Sequence, residues 1–206
     1  MTKVYPKVAR VSEPSERQKE STDGNHSAAA VVLTVWKKSL LPNCNGFTVF
    51  NSQGSLLFRV DNYIARNKDE ILLMDGAGRP LLTIRHKRLS FGENWLVYEG
   101  EASGKPLFTA KKHVNILNKR CLTQLLRCED GHKKKEVAYE VEGSYSQRCC
   151  AVFDNKRRKV AEIKKKEAVA GGVAFGADIF RLIVRPDMDT TLAMAFVILL
   201  DQMFGS

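Results

Sequence analysis

The chain lacks a continuous apolar run near its start, a CxxC pair, histidines at ligand spacing and any short signature of nucleotide or nucleic-acid chemistry. Each absence excludes something. The stretch MTKVYPKVARVSEPSERQKESTDGNHSAAA cannot serve as the hydrophobic region of a secretory signal, so a cytoplasmic, non-secreted protein is expected, with peripheral membrane or nuclear locations left open. Five cysteines, Cys44, Cys121, Cys128, Cys149 and Cys150, are an odd number. In a reducing compartment they read as small buried or half-exposed thiols, ahead of a disulfide framework or a zinc site. His26, His86, His113 and His132 stand far apart, so a metal centre would have to assemble from unrelated segments. AGGVAFGAD carries Gly171, Gly172 and Gly176 but lacks the Lys-Ser/Thr of a phosphate loop and precedes a strand pattern, so it reads as a surface loop. No Ser-His-Asp or Cys-His arrangement can be assembled from spacing. A non-enzymatic protein without cofactors follows as the expectation.

What is present is ordinary in composition and uneven in charge. The 206 residues are 44% hydrophobic and 27% charged, enough to bury a single core. Lys and Arg exceed Asp and Glu by 33 to 23, a formal +10 that favours nucleic acid, anionic lipid or acidic protein surfaces. Residues 1–29 mix charge, Ser, Pro and Gly without periodicity and are expected to form a disordered tail ahead of a domain at 30–206. The tail holds five basic and four acidic residues, so +9 remains with the domain.

From Val31 onward, short runs rich in β-branched, Leu and aromatic residues alternate with turn signals. Five hairpins follow one another: GFTVF-NSQG-SLLFRVDNY, EILLMD-GAGR-PLLTIRHKR, WLVYEGE-ASGK-PLFTAKKH, CLTQLLRC-EDGH-KKKEVAYEVEG and CCAVF-DNKR-RKVAEIKKK. Gly54, Gly78, Gly104 and Gly131 fall 24, 26 and 27 residues apart, and the turn from Asp154 to Arg157 continues the series. Tight hairpins need positive φ, which glycine adopts without strain. One strand before the series (AVVLTVW) and one after it (DIFRLIV) bring the total to about twelve. Alternation assigns faces: Phe180, Leu182 and Val184 oppose Arg181, Ile183 and Arg185, and Leu82 and Ile84 oppose Thr83 and Arg85. CLTQLLRC is ambiguous between a strand and a helical turn. A meander of this size has two edges, and closure into a barrel removes both. Eight strands already enclose an interior about one side chain deep, so twelve leave a space that something must fill.

The filling is legible at the end of the chain. DMDTTLAMAFVILLDQMFGS lacks strand alternation, offers Asp187 or Asp189 as N-cap, has Asp201 as its one charge past the caps and ends at Gly205. Its residues from Leu192 to Leu200 are apolar around the whole helical circumference, so the helix must lie in protein or in lipid. The expected span, Asp189 to Met203, is 15 residues, roughly 22 Å, against about 30 Å of bilayer hydrocarbon. Length therefore favours a plug inside the barrel over a tail anchor, with Leu192, Phe196, Leu199, Leu200 and Met203 as central packing residues.

These same segments, VWKKSLLPNCNGFTVFNSQGSLLFRVDNY, LLMDGAGRPLLTIRHKRLS, the W-x-V-Y at Trp95 to Tyr98 and DIFRLIVRPDMDTTLAMAFVILLDQM, resemble the LURP-one-related family of plants over about Val31 to Met203. The resemblance implies a tubby-like barrel around a central helix, shared with the phospholipid scramblases, and a link to plant defence. It implies no reaction.

Basic residues cluster at Lys37 and Lys38, at Arg85 to Arg88, at Lys111 and Lys112, at Lys119 and Arg120, at Lys133 to Lys135, at Lys156 to Lys159 and at Lys164 to Lys166. Solvation and edge protection account for lysines at strand ends. Convergence on an anionic phospholipid headgroup is the functional reading, and Arg85, Lys87, Lys111 and Lys112 are the candidate ligands because they lie on second strands of successive hairpins. The tubby resemblance raises a phosphoinositide without assigning its residues. Asp187 and Asp189 suit capping better than cation binding, having only two carboxylates. The competing classes are a protein-protein scaffold, with Ser12, Ser15, Ser21 and Thr22 as phosphoacceptors in the tail, and a nucleic-acid-associated regulator, for which no helix-turn-helix, zinc finger or RNP-type motif is present. A monomer is expected.

Overall fold

The computed structural model describes residues 29–42, 44–63, 70–88, 92–101, 104–113, 121–128, 136–167 and 175–205. The expected tail up to residue 28, the turn at Gly131, the clusters at 119–120 and 133–135, and Gly171 and Gly172 lie outside these residues.

Twelve strands precede one helix: β1 (Val31–Trp36), β2 (Cys44–Phe50), β3 (Leu56–Tyr63), β4 (Glu70–Asp75), β5 (Pro80–His86), β6 (Asn94–Glu99), β7 (Phe108–Lys112), β8 (Cys121–Arg127), β9 (Val137–Ser144), β10 (Cys149–Asp154), β11 (Lys159–Lys165), β12 (Ile179–Val184) and α1 (Thr190–Phe204). Every strand pairs antiparallel with its sequence neighbours, and β1 closes the barrel against β12 through six residue pairs from Val31↔Val184 to Trp36↔Ile179. The ambiguous CLTQLLR segment is a strand, because β7 and β9 both need a partner there.

Three hairpins close with the same turn, and side-chain chemistry explains it. Asn51, Asp75 and Asp154 each accept, through the side-chain oxygen Oδ1, the backbone N–H groups two and four residues on, at 2.8 to 3.0 Å. Their backbone groups bond the residues three and four on as well. The position three residues on takes positive φ: Gly54 at 81°, Gly78 at 87° and Arg157 at 61°. A one-residue register shift follows each turn, at Val49/Phe50, Leu73/Met74 and Val152/Phe153. This is a turn followed by a bulge, with an Asn or Asp side chain substituting for missing ladder bonds. Arg157 takes a backbone position that disfavours it, and its guanidinium bonds Glu140 and Glu142 on β9, both at 2.7 Å.

Period-two alternation sends one residue in two inward. Leu33, Val35, Val49, Leu73, Ile84, Val97, Leu125, Val141, Phe180 and Val184 are fully buried, and they surround α1. Ala193 through Leu200 are fully buried and Met203 nearly so, as a helix apolar on all sides requires. Phe196 packs edge-to-face on Tyr139 at 5.6 Å, and Leu192 sits half-buried against the core. Asp189 is the N-cap, accepting the N–H of Leu192 at 2.7 Å, so the helix runs one residue later than the expected span at each end. Asp187 pairs instead with Arg158 at 3.4 Å, tying the β10–β11 turn to the segment leading into the helix. No helix among the described residues is long and apolar enough to cross a membrane.

The barrel therefore has two unlike ends. The three Asn/Asp hairpin turns and the helix N-terminus share one, the turn end. The helix C-terminus, the tight β9–β10 turn at 145–148 and the described residues 37–42, 87–88, 92–93, 166–167 and 175–178 share the other, the loop end.

Candidate functional site

Strand alternation divides the four candidate cations. Along β5 to β7 the register pairs Arg85 with Leu96 and Asn94 with Lys111, while Lys87 donates its backbone N–H to the Asn94 carbonyl at 2.8 Å. Lys87 and Lys111 thus lie in one cross-strand row with Asn94 between them, both exposed on the outer wall at the loop end. Arg85 lies two residues further in on the same face. It bonds Glu70 across the β4–β5 ladder at 2.7 and 3.0 Å and stacks over Tyr98 at 5.5 Å.

Lys112 follows Lys111 and so points the other way, into the mouth of the barrel. Its Nζ donates to the Met203 carbonyl at 2.7 Å, pairs with Glu93 at 2.9 Å and lies 4.8 Å from the Phe204 ring. Three of the four are brought to one face, and the fourth closes the helix.

That closure is a site of its own. A helix C-terminus leaves carbonyls unpaired and concentrates partial negative charge, and Asp201 adds a carboxylate in the last turn. Lys37, the first residue after β1, pairs with the Asp201 carboxylate at 2.8 Å, and the Tyr145 hydroxyl donates to the same oxygen at 3.1 Å. Burial, then the Asp201 carboxylate, push the Tyr145 phenol well above its usual range, so it stays a donor at any physiological pH. Arg148 is buried with its guanidinium between the rings of Tyr145 and Phe180, at 4.1 and 4.4 Å, and its Nε donates to the Ala177 carbonyl at 2.8 Å. Sequence reasoning missed Tyr145 and Arg148. The one available signal was Asp201, a lone carboxylate on an otherwise apolar helix, which demands a buried partner.

The turn end offers a cleft of about 290 Å³ lined by Arg127, Glu136, Tyr139, Asp154, Asn155 and Arg158. Its charges are internally matched: Arg158 bonds Asp154 at 2.7 Å, and Arg157 holds the β9 carboxylates nearby. Nucleophilic chemistry has little support among the buried thiols. Burial pushes Cys150 up to about 12 and Cys121 up to about 11, the latter helped by Glu140 and Glu142, so both are thiols at neutral pH. All five cysteines are free. No group of three or more metal-ligating side chains occurs among the described residues.

A family model described as LURP-one-related matches residues 31–201. Protein LURP-one-related 8 of Arabidopsis thaliana is 52% identical over 208 residues that span the whole of both chains, and LURP-one-related 17 of the same plant is 41% identical over 86% of this chain and 85% of its own. A crystal structure of an Arabidopsis thaliana protein superposes with a TM-score of 0.62 at 23% identity, covering 85% of this chain and 92% of that one, which shows the fold alone. A matched region that spans all twelve strands and most of α1, together with full-length likeness at half identity, shows that the chain belongs to the LURP-one-related family.

Proposed function

We propose that this protein is a non-catalytic regulatory binder that is recruited to anionic phospholipid surfaces in plant defence signalling. The observation that carries the reading is an uneven distribution of charge. At the turn end cations are interspersed with carboxylates, Arg79, Arg157 and Arg158 each holding one within 2.7 Å. At the loop end Lys38, Lys111, Lys165 and Arg181 are exposed within a few residues of a strand end. A cationic end on a rigid body is what attraction to a phosphate-rich surface requires. The resemblance to tubby-like and scramblase proteins supports phospholipid headgroups as the ligand class, and the defence setting rests on family likeness. The matched charges of the turn-end cleft and the thiols held above neutral pH support the non-catalytic part of the reading.

Flotation with vesicles of phosphatidylcholine, with and without a phosphoinositide, tests it. The chain should bind only the anionic vesicles, and replacing Arg85, Lys87 and Lys111 with Ala should weaken binding by roughly 1 kcal/mol per residue, with binding falling as salt rises. Lys112 stays intact in that variant because it closes the helix. Equal binding to neutral and anionic vesicles, or none to either, sinks the reading in favour of a protein scaffold. Sequence preference for a nucleic acid at physiological salt would favour the transcription-regulator alternative.

A further inference from the structure

We infer that the loop end also carries a bilayer-inserting patch, formed by Trp36, Leu40 and Phe175 with Lys38 and Lys166 beside them, so that the barrel docks end-on to an anionic membrane. This inference rests on the membrane reading above, but it assigns a different face and a different interaction. The cations on β5 and β7 supply long-range attraction, whereas the β11–β12–β1 side supplies apolar side chains that leave water.

The first observation is where exposed apolar groups lie. Among the described residues six large apolar side chains are exposed: Val31, Val32 and Leu107 lie at the turn end, while Trp36 at the end of β1, Leu40 and Phe175, at 36%, 48% and 39%, lie at the loop end, which holds both of the aromatic ones. Trp36 ends β1 on the outer wall, since its neighbour Val35 is fully buried inside. It pairs in register with Ile179 of β12, and one residue further Lys37 donates its N–H to the Asp178 carbonyl at 2.7 Å. The connection bearing Leu40 is thereby fastened to the one bearing Phe175.

The second observation is that both connections are held in place. The Ser39 hydroxyl bonds the buried Asp61 carboxylate, which Arg59 also holds at 2.6 Å, and Thr48 donates to the Lys38 carbonyl at 2.6 Å. On the other side, Arg148 fixes Ala177 from inside the barrel mouth. Side chains presented on ordered backbone bind without a further ordering cost.

The third observation selects the partner. Lys38 Nζ lies 5.2 Å from the Trp36 ring, and Lys166 Nζ lies 4.7 Å from the Phe175 ring. An aromatic ring with an ammonium at its face matches the membrane interface, where the ring sits at headgroup depth and the cation meets phosphate. The core of a protein interface is depleted in lysine, whereas here an ammonium lies beside each of the two exposed aromatic rings on the outside of a closed barrel. The helix C-terminus opens at the same end, and its negative charge would repel an anionic surface, but Lys37 and Lys112 already neutralise it.

The full-length chain is mixed with phosphatidylcholine vesicles with and without phosphatidylserine, and tryptophan emission is recorded alongside flotation. Only two tryptophans are present, and Trp95 is buried inside the barrel at 6% exposure, so a blue shift on binding reports Trp36. The expected result is a blue shift and quenching by lipids brominated on their acyl chains, read on the unaltered protein. Trp36→Phe should keep most of the binding and lose the signal. A combined Trp36→Ala, Leu40→Ser and Phe175→Ser variant should bind about tenfold or more weakly, with an unchanged thermal midpoint. The patch is overturned, with the membrane reading intact, if the unaltered chain binds anionic vesicles without quenching or if the triple variant binds equally well. Failure of the unaltered chain to bind anionic vesicles at all overturns both.

Discussion

At the turn end, three hairpins repeat one local device: an Asn or Asp whose side chain caps the next backbone N–H groups, a left-handed residue three positions on, and a bulge. Every contact in that device spans two to four residues. At the loop end, order comes from contacts between distant segments, Lys112 to Met203 across 91 residues, Tyr145 to Asp201 across 56 and Arg148 to Ala177 across 29. The difference carries over to charge. Arg79 and Arg158 at the turn end are held by the carboxylate that caps their own turn, and Arg157 by two carboxylates of β9, whereas at the loop end Lys37 and Lys112 close the helix and Arg85 and Lys111 face outward. Connections positioned by a rigid wall are where a fold can change its surface without changing its core.

The helix joins the two ends, so the largest expected effect lies there. Phe196→Asp would place a carboxylate at a fully buried position against Tyr139. The cost is several kcal/mol, against a typical domain stability of about 5 to 15, and both ends should come apart together. Circular dichroism and solubility check this; a soluble variant melting cooperatively near the unaltered chain would refute the central position of α1.

A pair of glycines sharpens the contrast at smaller scale. At Gly78, in a hairpin turn, an added Cβ meets nothing within 4 Å, so Gly78→Ala carries only the left-handed backbone penalty, about 1 to 2 kcal/mol. At Gly143, where β9 nears the loop end, an added Cβ would sit 2.1 Å from the Cys149 carbonyl oxygen on the paired strand, at a φ of 120°. Gly143→Ala must push β9 and β10 apart and should cost more than Gly78→Ala in urea titrations. Equal midpoints for the two variants would mean that the loop end yields as easily as the turn end.

How far each end was legible in the sequence follows from the same contrast. Twelve strands, the turns at Gly54, Gly78 and Asp154 to Arg157, and the buried helix could be read because their signals are local: glycine and Asn/Asp punctuation, period-two faces, and a helix without a polar side. The outer positions of Arg85, Lys87 and Lys111 were within reach of the same alternation. Lys112 was misgrouped with Lys111 by adjacency, although adjacent strand residues face opposite sides. The Arg85–Glu70 pair depended on the register across the β4–β5 bulge. Trp36 was read only as part of a strand, since its exposure depends on which connections crowd the end of β1. The contact of Arg148 with Tyr145 is local to the β9–β10 turn, but only the closed topology brings Phe180 and Ala177 to the same guanidinium.

Acid should separate the ends most finely. The backbone N–H of Arg79, working against burial and with its guanidinium, holds the Asp75 carboxyl below the usual carboxylate range. Burial raises Asp154, but the backbone N–H and guanidinium of Arg158 outweigh it and leave that carboxyl low as well. A carboxyl whose folded pKa is depressed stabilises the fold above its unfolded value, about 3.9, and that contribution is lost as pH falls through the folded value. The window for turn-end loosening is therefore below about pH 4. Asn51 shows that an amide supports the same turn, so an Asp75→Asn, Asp154→Asn double variant should keep the hairpins and give up only the carboxylate–arginine pairs. Near neutral pH its thermal midpoint should fall by only about 4 °C. Below about pH 4 the two proteins should converge, since the unaltered chain is then losing what the variant never had. Parallel thermal melts across that range decide the matter, and a constant gap between the curves down to the lowest pH would place the acid sensitivity outside these two turns.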